Sequence, residues 1–171
     1  DMVVQRFVDG WICFPPFIIF LFGVSIVGPG MWQLIIAMGL VQGIGVSRIM
    51  RSSVIAIREN MYVEAAVAIG SPTTKIITRH ILPNIMPTII ILFSATVPNM
   101  ILGEAALSFL GLGLPVGSPA WGIMVSEGKD VILDMWWLSL LPGLAITAVV
   151  LAFNFFGDWL RDHLDPKLRR A

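Results

Sequence analysis

Four long apolar runs, separated by short polar or turn-forming stretches, dominate the pattern along the chain: residues 11–27, 31–47, 84–103 and 134–156. Each suits a helix crossing a hydrocarbon core about 30 Å thick, which takes roughly 17–25 residues. The first run lies at the lower limit of that range. Its Pro15-Pro16 pair predicts a kink or a delayed helix start, and Gly28-Pro29-Gly30 predicts the turn after it. Carbonyls freed by proline are tolerable in a membrane only where neighbouring helices cover them, so the pair also predicts a packed bundle. In the second run Gly39, Gly43 and Gly45 make a small-residue face that allows another helix to approach closely. In the third, Pro98 with Asn99 predicts a kink or an unwound turn, a feature that serves a translocation path or simple packing equally well. The fourth opens at Asp134, a good N-cap residue, with Pro142-Gly143 as its kink. Trp136 and Trp137 mark one membrane boundary and Trp159 the other, since the helix from Trp137 to Trp159 rises about 33 Å.

The one long polar interruption lies between the second and third runs. Residues 48–60 carry Arg48, Arg51 and Arg58 on a helix that leaves the membrane. Residues 62–87, YVEAAVAIGSPTTKIITRHILPNIMP, then predict two short helices with a sharp joint. Residues 62–69 are good helix formers, and Gly70 takes the left-handed conformation that ends a helix. Ser71 is expected to cap the next helix and Pro72 to take its first position, with Lys75, Arg79 and His80 in its body and last turn and Pro83 as its stop. The product is an elbow outside the bilayer, spanning residues 60–83. Glu64 stands in the first turn of its first helix, where the helix dipole alone favours an acid by about 0.3–1 kcal/mol.

Residues 104–133 are mixed, an apolar piece ALSFLGLGLPV followed by GSPAWGIMVSEGKD. The piece is too short and glycine-rich to span, so it reads as a short helix on or partly in the opposite membrane surface, followed by an exposed loop.

Composition agrees with the pattern: 57% of the 171 residues are hydrophobic and 13% charged, against about 25% charged in soluble domains. Net charge is zero and no basic tract occurs, which excludes nucleic acid as a natural partner. The single cysteine, Cys13, lies in an apolar run and is expected to be buried and inert. The chain begins at Asp1, and its first apolar run lacks the flanks of a signal peptide, so it reads as the C-terminal part of a longer protein.

Charge asymmetry orients the runs, because short loops rich in Lys and Arg stay cytoplasmic. Arg6, Arg48, Arg51, Arg58, Lys75, Arg79, Arg161, Lys167, Arg169 and Arg170 fall on one side of four crossings, and only Lys129 on the other, with Glu104, Glu127, Asp130 and Asp134. The elbow and both ends of the segment are therefore expected in the cytoplasm.

Enzyme chemistry is not legible. His80 and His163 are isolated, no cluster has metal-ligand spacing, and no GxxxxGK[ST] phosphate loop occurs. The middles of the four runs hold no Asp, Glu, Lys, Arg or His, whereas ion-coupled carriers place such groups there. A secondary carrier or channel is thus the weaker transport reading, and a non-transporting scaffold a third.

Glu64-Ala65-Ala66, with Gly70 four residues after Ala66 and Ile81-Leu82-Pro83 beyond, resembles the EAA loop of ABC importer permeases. The stretch EAALSFLGLG from Glu104 to Gly113, the SPAWG turn at residues 118–122, WWLSLLPG at residues 136–143 and GDWLRDHLDP at residues 157–166 resemble the C-type permease subunit of dipeptide, oligopeptide and nickel importers. Val67, where relatives carry a basic residue, and Trp159, where they often carry glycine, depart from the pattern.

The resemblance implies an all-α polytopic membrane helix bundle of the MetI-like type, with about four spans, a cytoplasmic coupling elbow and a short extracytoplasmic helix. It implies a permease subunit in the inner membrane, pairing with a homologous permease subunit, two ATPase subunits that bind ATP and Mg, and an extracytoplasmic substrate-binding protein. The residues carrying ATPase coupling are then Glu64, Ala65, Ala66, Gly70, Ser71, Ile81, Leu82 and Pro83. Trp121 is a contact for the binding protein or an aromatic anchor at the interface. No catalytic residue, metal or cofactor is expected on the chain itself.

Overall fold

The computed structural model describes residues 2–115 and 117–164, and the described chain is helical throughout apart from turns and short connections. In order, the helices are α1 (Met2–Ile12), α2 (Pro16–Val27), α3 (Met31–Arg58), α4 (Met61–Ala68), α5 (Thr73–Ile76), α6 (Leu82–Phe109), α7 (Trp121–Lys129) and α8 (Trp137–Leu164), with a π-helical turn Ile77–Ile81 joining α5 to α6. Lys167, Arg169 and Arg170 of the basic tail, and the end of its GDWLRDHLDP motif, lie outside the described residues.

Three helical rods are long and apolar enough to cross a membrane: α3, the α5–α6 unit Thr73–Phe109, and α8. A fourth span exists if the bent pair α1 and α2 is taken together. The Pro15-Pro16 pair is the cause of the bend. The chain breaks at residues 13–15, α2 starts at Pro16, and the two axes meet at 94°. The expected first crossing at residues 11–27 is thus the end of α1, a turn at residues 13–15 and a 12-residue helix of about 18 Å.

The molecule is inside-out by the standard of a soluble protein. Large apolar side chains such as Phe22, Trp32, Phe93 and Phe155 are exposed around the rods, as a hydrocarbon solvent requires. Polar side chains within the spans turn back on their own helix. Ser94 Oγ donates to the Ile91 carbonyl at 2.9 Å, Asn99 Nδ2 to Ala95 at 2.9 Å and Thr147 Oγ1 to Gly143 at 2.9 Å. Helix α6 continues through Pro98 without the unwound turn that the sequence allowed for, and Asn99 bonds a carbonyl in the turn that the proline leaves short of a donor.

α6 packs most extensively on α8, and α7 is wedged between them at the end opposite the elbow. Here several expectations are corrected. The apolar piece after Glu104 is not a separate surface helix: residues up to Phe109 are the last turns of α6. The stretch read as an exposed loop contains α7, which is among the best-packed parts of the chain. Leu107 is only 1% exposed, and Ser108 is buried with its hydroxyl donating to Glu104 Oε1 at 2.6 Å. Two glycines explain why the pattern misled. A Cβ on Gly122 would collide with the Ala105 backbone, and one on Gly128 with Ser139 and the Leu138 backbone, so α7 touches its neighbours through main chain rather than through apolar side chains. Ser139 Oγ seals the contact by donating to the Val125 carbonyl at 3.1 Å. Asp134 does not cap α8; it lies in a turn, its N–H bonded to Val131, and the helix starts at Trp137.

Two further expectations change. Among the described residues nothing approaches Gly39, Gly43 or Gly45 closely; Gly39 and Gly43 line an open groove between α3 and α6. Cys13 is exposed rather than buried, because it falls in the break before α2, where its thiol donates to the Asp9 carbonyl at 3.3 Å.

The close backbone approach of α7 yields a prediction. Gly122→Ala forces α7 off α6 and costs about 1–3 kcal/mol, whereas Gly45→Ala, whose added carbon meets open space, does not. Thermal unfolding of the purified protein in detergent is expected to show a lowered midpoint for the first variant alone.

Candidate functional site

The elbow begins where α3 outlasts the membrane. Its 28 residues rise about 42 Å, some 12 Å more than a hydrocarbon core. The surplus turns carry Met50, Val54 and Ile57 at helical spacing, and against them pack the buried side chains Val63, Ala66, Ile76, Ile81 and Ile85. Val63, at 2% exposed, is the centre of this small core. The elbow is therefore a body packed on an extended helix and not a loose loop.

Asn60 makes the first joint. Its side-chain amide donates to the carbonyls of Ile57 at 3.0 Å and Ala56 at 3.4 Å, closing the end of α3, and its own carbonyl accepts from Val63 and Glu64 to open α4. The sequence reading passed over Asn60. An asparagine immediately before an alanine-rich helix was the available signal.

The second joint is at Gly70, as expected. Gly70 has φ +73°, its N–H bonds Val67 at 2.9 Å, and the Ser71 N–H reaches back to Ala66 at 3.1 Å. That pair of bonds is the Schellman arrangement, which satisfies the last carbonyls of α4 through a left-handed residue. Ser71 thus closes the helix before it instead of capping the one after. Pro72 takes the N-cap position of α5, its carbonyl accepting from Lys75 and Ile76.

Nor does Pro83 stop the elbow's second helix. Between Ile77 and Ile81 the winding loosens to a π turn, with the Leu82 N–H bonded to the Ile77 carbonyl. An α-helix would bring the ring of Pro83 against the carbonyl four residues back; the wider turn re-registers the backbone before it, and the rod continues into α6. The Tyr62 ring lies 6.2 Å from that of His80, tying α4 to this turn.

Of the residues singled out from the sequence, Ala66 and Ile81 meet in the buried core and serve as scaffold. Glu64 and Ala65 are exposed on the opposite face of α4, together with Met61 at 87% and Ile69 at 81% exposed. Glu64 also borders a groove of about 490 Å³ lined by Arg58, Glu59, Val63, Val67 and Ala68. Gly70 and Ser71 form the turn, while exposed Leu82 and Pro83 sit past the π turn at the head of α6. Trp121 opens α7 at the far end and is partly exposed there. His163 stacks on Trp159 at 4.7 Å, and among the described residues no group of His, Cys, Asp and Glu is arranged to hold a metal. What this geometry offers is a rigid knob with an apolar, acid-edged outer face, continuous with a membrane-crossing rod.

Comparison with known proteins places that knob in context. The chain is 40% identical over 169 residues to a putative peptide transport system permease protein of Brucella suis, covering 99% of this chain and 57% of that protein. It is 37% identical over 171 residues to the dipeptide transport system permease protein DppC of Bacillus subtilis, covering 99% and 53%. It is 36% identical over 169 residues to the oligopeptide transport system permease protein OppC of Haemophilus influenzae, covering 99% and 54%. The chain thus spans little more than half the length of these relatives. Residues 1–170 match one family, and this chain belongs to it: the binding-protein-dependent transport system inner membrane components.

Proposed function

We propose that this chain forms the membrane-embedded part of a permease subunit in an ATP-driven, binding-protein-dependent importer of peptides. The observation that carries the reading is the elbow: its exposed Met61, Glu64, Ala65 and Ile69 offer a docking face, and its buried core and unbroken path into α6 make it a lever. A separate ATPase would seat on that face and supply the nucleotide and Mg chemistry for which this sequence has no phosphate loop. Two such permease chains would enclose the pore, with the binding protein delivering solute on the α7 side, where Trp121 is exposed. Peptides are favoured over nickel because relatives at 35–40% identity are named for peptide transport. The elbow's side holds Arg48, Arg51, Arg58, Lys75, Arg79 and Arg161, and that basic excess supports a cytoplasmic elbow.

Orientation is tested by single-cysteine labelling in a Cys13-free background. A cysteine at Ser71 is expected to react only from the cytoplasm and one at Ser118 only from outside; the opposite pattern removes the docking role.

Purified alone, the chain is expected neither to bind a fluorescent ATP analogue nor to release phosphate, and the assembled complex to do both. Turnover by the isolated chain would locate a nucleotide site in this sequence.

Two elbow substitutions separate attachment from coupling. Gly70→Val places a β-branched residue at positive φ, at a cost of about 1–3 kcal/mol, and is expected to weaken co-purification of the ATPase. Glu64→Lys reverses the charge on the docking face and is expected to lose transport-linked ATP hydrolysis. Both should insert normally yet lose uptake; uptake at the parental rate by both would reduce the elbow to a connecting loop.

A further inference from the structure

Helix α1 stands at 94° to α2, which packs along the membrane-crossing α3. An axis perpendicular to a crossing helix lies in the plane of the bilayer. Asp9 sets its level. Its carboxylate is 3.7 Å from the Arg48 guanidinium, and Arg48 stands about 26 Å along α3 from Met31, close to the full depth of a 30 Å hydrocarbon core. α1 therefore lies where α3 leaves the hydrocarbon on the elbow side.

Its two flanks differ as a boundary position demands. Toward the elbow, a polar groove of about 450 Å³ is lined by Gln5, Asp9, Arg48, Ser52 and Glu59. Toward the bilayer middle, Trp11 forms the rim of an apolar hollow of about 530 Å³ with Phe22, Val24 and Trp32. Val8 is buried where α1 meets α3, so α3 occupies the side between the flanks. On the remaining surface Val4 and Phe7, each 65% exposed, continue the apolar sector of Trp11 at helical spacing, with the Phe7 and Trp11 rings 6.0 Å apart. Arg6 is exposed on the polar sector.

We propose that α1 is an interfacial helix of the elbow-side leaflet, with Val4, Phe7 and Trp11 seated among the upper acyl chains and Arg6 reaching the lipid phosphates. A helix with one apolar and one charged flank, lying in the membrane plane, fits this partner. A protein partner would have to cover the apolar sector from within the bilayer. On the orientation proposed above the leaflet is the cytoplasmic one. The depth of α1 does not depend on that assignment, and the experiment reads depth from the nearer surface.

The test uses nitroxide labels on Val4→Cys, Gln5→Cys, Arg6→Cys and Phe7→Cys in a Cys13→Ser background, in the assembled permease complex reconstituted into phosphatidylcholine–phosphatidylglycerol vesicles. Collision with oxygen and with a water-soluble nickel chelate gives the depth of each label. Labels at positions 4 and 7 are expected about 5–10 Å below the phosphates, oxygen-accessible and nickel-protected, and those at 5 and 6 at or above the phosphates. Nickel access at all four positions would place α1 in water and overturn the proposal. Protection of positions 4 and 7 from both reagents would overturn it equally, by showing that protein covers the face. Should Phe7→Cys fail to assemble, Val4→Cys decides alone.

Discussion

The hydrocarbon solvent allows no unpaired backbone polar group, and nearly every feature of the chain follows from that constraint. It makes the spans helical and turns Ser94, Asn99 and Thr147 back onto their own carbonyls. It also explains how prolines are distributed. Pro87, Pro98 and Pro142 lie inside rods that continue past them. Two adjacent prolines, Pro15 and Pro16, exceed what a single helix can absorb, and there the chain breaks between α1 and α2 instead.

Within that frame, stability is concentrated at two ends. Apolar side chains cannot gain much by leaving lipid for protein, so the best-buried clusters form where the chain meets water or where backbones touch. One cluster is the elbow core around Val63; the other is the α6–α7–α8 junction around Leu107, Gly122 and Gly128. The rod Thr73–Phe109 runs from the first to the second. A load applied to the elbow reaches the opposite end through one continuous helix. Its one irregular segment is the π turn at Ile77–Ile81, beside the load.

Along this architecture the value of a one-dimensional pattern varies with the origin of each contact. A continuous apolar run of about twenty residues reports contact with lipid, and such runs located α3, most of α6 up to Gly103, and α8. Gly70 was legible because positive φ is a local demand that few residues meet. Ser71 and Pro83 were misread for a related reason: both are good local punctuation, but their roles depend on the backbone that precedes them, the Ser71 N–H bonding back to Ala66 and Pro83 following a loosened turn.

The amino-acid sequence by itself therefore determined the class of solvent, the approximate spans, the charge asymmetry and the position of the elbow, since each depends on composition or on residues adjacent in the chain. Tertiary structure alone decided that Ala66 and Ile81 are core while Glu64 and Ala65 face outward, because the three adjacent residues Glu64, Ala65 and Ala66 occupy different sides of a helix whose buried face is set by Met50, Val54 and Ile57 on another. It decided likewise that α7 is packed and that α1 turns sharply from α2 to meet α3 beside Arg48. Those outcomes rest on glycine-mediated backbone contact and on an Asp9–Arg48 pairing between elements far apart in the chain, and neither leaves a periodic trace in it.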